Sequence, residues 1–85
     1  MANVHYTLAI SDEARDQLRA LPKPLRKRIG TKMTGLQDNL AGDVKKLAAT
    51  EKKYRLRVGD FRVLFRLEGN QIAVYSVKDR KEAYE

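Results

Sequence analysis

Arginine occurs four times in the thirteen residues YRLRVGDFRVLFR, at Arg55, Arg57, Arg62 and Arg66. Its guanidinium is a planar fork of N–H donors that keeps its charge at any ordinary pH and matches the oxygens of a phosphate. Apolar residues fill the alternate positions, the period of a β-strand. Tyr54, Leu56 and Val58 then share one face of a strand, and Arg55 and Arg57 share the other, about 7 Å apart. After a Gly59-Asp60 turn, Phe61, Val63, Phe65 and Leu67 point one way, with Arg62, Leu64 and Arg66 opposite. One face is apolar and the other is lined with arginine, a surface suited to holding phosphates.

The charge distribution agrees. The chain carries 18 Lys+Arg against 11 Asp+Glu, a net charge of +7. Residues 44–66 hold Lys45, Lys46, Lys52, Lys53 and the four arginines against only Glu51 and Asp60, so nearly all of the excess sits on one segment. A polyanionic partner is the reading this favours; a solvated basic face with no ligand is the bland one. With no cysteine there is neither a disulfide scaffold nor a thiolate metal site, and the single histidine, His5, leaves almost nothing for zinc. The start MANVHYTLAIS lacks the basic run and long apolar core of a signal peptide, and no stretch reaches membrane-spanning length. A cytoplasmic protein with no membrane partner is expected.

The arginine-bearing strands need elements to cover their apolar face. Val4, Tyr6, Leu8 and Ile10 alternate as a half-buried strand. Ser11 can cap a helix whose first turn carries Asp12 and Glu13 and whose apolar stripe is Ala14, Leu18 and Leu21. Pro22-Lys23-Pro24 ends it and offers Pro24 as the first residue of a second helix. Leu25, Ile29, Met33, Leu36 and Leu40 form that helix's stripe, and Gly42 is a plausible stop. Gly30 and Gly35 weaken it by roughly 1 kcal/mol each unless close packing compensates. Residues 44–51 read as a loop or irregular segment. Strands follow at 54–58, 61–67 and 72–77, the last two joined by a turn at Glu68-Gly69-Asn70. The expectation is one α+β domain over 1–85: an N-terminal strand, a helical hairpin over 11–40, then a three-stranded antiparallel meander, with the helices on one sheet face.

The strings DVKKLAATEKKYRLRVGDFRVLFRL and KDRKEAY, with this element order, resemble the RelE branch of the RelE/ParE toxin superfamily over essentially the whole chain. YRLRVGDFRVLF is the most specific part, followed by the Arg-Lys-x-x-Tyr ending. The resemblance implies a RelE-like, microbial-RNase-like fold and the toxin of a type II toxin–antitoxin pair. It implies an endoribonuclease that cleaves mRNA in the ribosomal A site without a metal or other cofactor. Its partners would be the ribosome, mRNA and a RelB-like antitoxin that wraps a helical, partly acidic segment over the toxin. Carried over residue by residue, the catalytic set is Arg55, Arg57, Arg62, Arg80 and Tyr84. A histidine often precedes the late arginine in relatives; Asp79 stands there in this chain, so that role does not transfer. The alternative within the superfamily is a ParE-like, non-catalytic inhibitor of DNA gyrase. A third reading is an RNA-binding module without cleavage.

RNA supplies its own nucleophile, the 2′-hydroxyl, which attacks the adjacent phosphate to leave a 2′,3′-cyclic end and a 5′-hydroxyl. The step needs a base, cations for the phosphorane charge and an acid for the leaving oxygen. Arginines meet the second need, and Arg80 is placed by the resemblance to stabilise the leaving oxygen. Arg55 is a poor base because it keeps its proton. Tyr84 is the candidate base, since nearby guanidiniums favour its phenolate, or else a platform for a base; Glu51 is a remoter candidate. Lys45, Lys46, Lys52 and Lys53 fit non-specific phosphate contacts, and Arg66 is a further RNA-binding candidate. Each has a bland counterpart. Arg55, Arg57 and Arg66 could be solvated strand positions paired with Glu51, Asp60 or Glu68, the preferred reading for Arg66. Arg62 could pair with Glu82, Tyr84 could pack on the sheet edge, and His5 is structural or exposed.

Overall fold

The computed structural model describes residues 4–48 and 52–79. Its elements are β1 (Thr7–Ile10), α1 (Asp12–Arg19), α2 (Lys23–Gly35), β2 (Val44–Ala48), β3 (Lys53–Val58), β4 (Phe61–Glu68) and β5 (Gln71–Asp79). The strands form one sheet in the order β1-β5-β4-β3-β2; β1 runs parallel to β5 and every other pair is antiparallel. This is the α+β class expected, with the meander at its centre.

The two helices bury their stripes on one sheet face. Ala14, Ile29, Met33 and Leu36 meet Leu56, Val58, Val63, Phe65, Ile72, Val74 and Val77, all inaccessible or nearly so. Tyr54 and Phe65, opposite one another on β3 and β4, stack with centroids 5.5 Å apart and planes 12° from parallel. Ser11 caps α1 as its sequence suggests, its Oγ accepting from the Ala14 N–H at 3.1 Å. α1 also finishes the sheet's edge. β1 covers β5 only as far as Val74, and beyond it the Gln17 Oε1 accepts from the Val77 N–H at 2.6 Å and the Ser76 Oγ at 3.4 Å. Those donors would otherwise be buried without a partner, a cost of about 1–3 kcal/mol for each such group.

Three local expectations are revised, and a conditional one is resolved. Residues 44–48 are a strand, not a loop. Val44-Lys45-Lys46-Leu47-Ala48 shows no period-2 pattern because an edge strand is specified by the hydrogen bonds of its one neighbour and tolerates exposed lysines. The second helix begins at Lys23, with Pro22 as its N-cap, and stops at Gly35, short of Leu40. Asn39 (φ 58°) and Leu40 (φ 56°) leave the helical region, and the Asn39 N–H donates to the Val4 carbonyl. Val4 to Tyr6 are therefore drawn to this turn and not into the sheet: the Tyr6 N–H bonds to Gln37, whose side chain donates back to the Tyr6 carbonyl. Finally, an added Cβ at Gly30 or Gly35 would meet nothing within 4 Å, so no close packing offsets their helix penalty. His5 is exposed, as expected, 3.6 Å from Asp38. Among the described residues no helix is long and apolar enough to cross a membrane.

Candidate functional site

The sheet face away from the helices carries the basic residues. Cross-strand partners share a face, so the register sets their neighbours. Arg57 stands directly opposite Arg62, and Arg62 opposite Lys78; Lys45 stands opposite Arg55, and Arg55 opposite Leu64. Lys45, Lys46, Arg55, Arg57 and Arg62 together line a single basin of about 410 Å³, with Leu47 and Leu64 as its apolar members. Five of the sequence's candidate cations thus converge from β2, β3 and β4.

Their exposures differ in a way that assigns depth. Arg62 is only 7% exposed and lies lowest, Arg55 has a side chain 16% exposed, and Arg57 and both lysines reach into solvent. Arg55 is steered by Asp43: its Nη1 donates to the Asp43 carbonyl at 3.2 Å and lies 3.6 Å from the carboxylate. The same carbonyl accepts the Arg57 N–H at 3.0 Å, binding the approach to β2 onto β3. Gly42 makes that approach. Its φ of 125° is a conformation side chains rarely adopt, and a Cβ there would sit 2.9 Å from Leu56 Cδ1. Arg57 and Arg62 place two guanidiniums side by side on the open face.

A model of the family described as the ParE toxin of the type II toxin–antitoxin system parDE matches residues 8–84. The chain belongs to the RelE/ParE toxin superfamily. Among solved structures, the toxin is similar to the RelB–RelE antitoxin–toxin complex of Methanococcus jannaschii, at 29% identity and TM-score 0.74, over 88% of this chain and 93% of that one. The archaeal RelE–RelB complex of Pyrococcus horikoshii OT3 matches at 27% identity and TM-score 0.75, over 89% and 96%. A mutant of the E. coli toxin RelE in the free state shares the fold, with 16% identity and TM-score 0.77 over 94% and 88%. A search of curated proteins finds no relative of the toxin.

Three further candidates among the described residues, Arg66, Lys52 and Lys53, do not line the basin. Arg66 stands over the Tyr75 ring, its guanidinium carbon 5.6 Å from the centroid, and lines a separate depression. Lys53 faces Arg66 across β3 and β4, and Lys52 occupies the turn before β3, so neither reaches the basin. Arg80, Tyr84, Glu51 and Glu82 lie outside the described residues. Two neighbours of the basin escaped the sequence reading. Asp43 is one; the expected partners of Arg55 were Glu51, Asp60 or Glu68. Lys78 is the other. Strict alternation from Ile72 and Val74 would send it into the core. The register shifts where Phe65 pairs with Val74 and Leu64 with Ser76, leaving Tyr75 as an extra residue, and every later side chain changes face.

Proposed function

We propose that the toxin is a ribosome-dependent endoribonuclease that cleaves mRNA in the ribosomal A site by attack of a 2′-hydroxyl on the adjacent phosphate. The observation that carries this reading is the convergence of Arg55, Arg57 and Arg62, from two neighbouring strands, on one basin. In the reaction the 2′-oxygen forms a bond to phosphorus while the bond to the 5′-oxygen breaks. The products are a 2′,3′-cyclic phosphate and a 5′-hydroxyl. Three guanidiniums answer the charge that builds on the non-bridging oxygens, with no need for a metal ion to supply it. Arg62, nearly buried, is already oriented before substrate arrives, and Asp43 holds Arg55 in the same way. Such preorganisation is what makes a donor more effective toward a transition state than water. Arg57 at the rim, with Lys45 and Lys46, attracts and aligns the strand. Arg80 is assigned to the leaving oxygen and Tyr84 to the 2′-hydroxyl proton or a base stack, both on the family pattern.

Relatives have been solved as antitoxin–toxin complexes, which supports a cognate, RelB-like antitoxin for this chain; a cytoplasmic setting belongs to the same proposal, because ribosomes and mRNA meet there. The match to a ParE family model favours a second reading, a non-catalytic inhibitor of DNA gyrase. The basin weighs against it, because three converged guanidiniums match the oxygens of a phosphate. Ribosomes programmed with a defined mRNA decide the matter: the wild type yields A-site cuts with cyclic-phosphate ends. Equal cutting by an Arg62→Ala, Arg80→Ala double variant eliminates the proposed site, and inhibited supercoiling by purified gyrase without RNA cuts selects the rival.

A further inference from the structure

The open sheet face carries a second depression, of about 400 Å³, beside the basin and over β1, β5 and the far half of β4. Ala9 and Ala73 face one another across β1 and β5 and form its floor. Methyl groups there leave space that larger strand residues would fill. Tyr75, the extra residue at the register shift, stands beside them with Arg66 over its ring, and Glu68 is the remaining charged group. The reaction above uses none of these residues.

We propose that this depression is a nucleobase subsite, taking the base next to the phosphate held in the basin; the inference rests on the nuclease reading. Its lining is chiefly apolar and aromatic, which suits the flat, weakly polar face of a base and not a phosphate. The Glu68 carboxylate opposes a second phosphate, and the charge of Arg66 is directed at the Tyr75 ring. Bases splayed from single-stranded RNA are commonly held on exposed sheets, stacked on aromatic rings and guanidinium planes. The spacing is also suitable. Arg55, which grips the phosphate, stands opposite Leu64, and Arg66 at the depression lies two residues beyond Leu64 on the same face of β4, about 7 Å along the strand. One nucleotide of an extended RNA spans that step, so phosphate and base reach their sites together.

The test is a double-mutant cycle between protein and RNA. Programmed ribosomes carry an mRNA in which the nucleotide on either side of the cut is abasic, keeping its ribose and 2′-hydroxyl. Removing the base on one side slows cutting by the wild type roughly tenfold, the scale of one base–aromatic stack. Tyr75→Leu slows cutting of the intact RNA by the same factor and of the abasic RNA no further, while Tyr75→Phe cuts like the wild type. Ala73→Leu, which fills the floor and leaves the ring in place, reproduces the Leu result and serves if Tyr75→Leu fails to fold. Losses that multiply, or a Tyr75→Leu toxin as active as the wild type, overturn the subsite. So does weakened antitoxin binding without base coupling, which assigns the depression to a peptide. Absence of any cut by the wild type removes the nuclease reading itself, whereas normal cutting without coupling removes the subsite alone.

Discussion

The two faces of the central strands are made from alternate residues of the same backbone and do opposite work. On the covered face Leu56, Val58, Val63 and Phe65 are sealed against Ile29, Met33 and Leu36. On the open face, one residue away each time, Arg55, Arg57 and Arg62 gather positive charge suited to an anionic ligand. The covered face gains stability by excluding water, and the open face concentrates cationic side chains. The pair of faces teaches that here the site cannot drift from the core. A one-residue slip of β3 against β4 would exchange their contents, so the apolar alternation that fixes register also aims the arginines.

That contrast can be broken from either side. The largest effect is expected from Phe65→Ala, which empties a fully buried ring position and should cost about 3–5 kcal/mol in denaturant unfolding. Cutting should fall with the folded population and for no other reason. Arg62→Ala should lower ribosomal A-site cutting by about 10²–10³ while its unfolding midpoint moves far less than that of Phe65→Ala. Equal effects of the two variants in both assays would erase the distinction between the faces.

The glycines sharpen the comparison at a smaller scale. Gly42→Ala forces a side chain into a positive φ against Leu56, and a loss on the order of 1–3 kcal/mol is expected, with weaker cutting as Asp43 shifts away from Arg55. Gly30→Ala meets open space on α2 and should raise stability by up to about 1 kcal/mol with cutting unchanged. The smallest effect is on the salt dependence of RNA binding. Replacing Lys45 and Lys46 by alanine should reduce the slope of log affinity against log salt by about 0.7 for each phosphate that a lysine neutralises. An unchanged slope would show that neither lysine reaches the RNA backbone.

Much of this plan was legible before any coordinates. The Ser11 cap, the helix stripes as far as Leu18 and Met33, the Gly59-Asp60 turn and the division of Arg55, Arg57 and Arg62 from the apolar positions all come from neighbours within four residues in the chain. Such signals are local, because helix and strand periods repeat over a few residues. What failed was whatever depends on a distant partner. β2 has no pattern of its own and exists because β3 offers an unpaired edge.

By itself, then, the sequence determined which residues of β3 and β4 share a face and that one of those faces would be cationic. Only the tertiary structure decided that Arg62 would be nearly buried, that Asp43 would hold Arg55, and that Lys78 would join Arg62 while Arg66 turned to Tyr75. The reason is physical. Periodicity constrains a side chain's direction, whereas depth, ion partners and the position of a register shift depend on which segments, far apart in the chain, come to lie side by side.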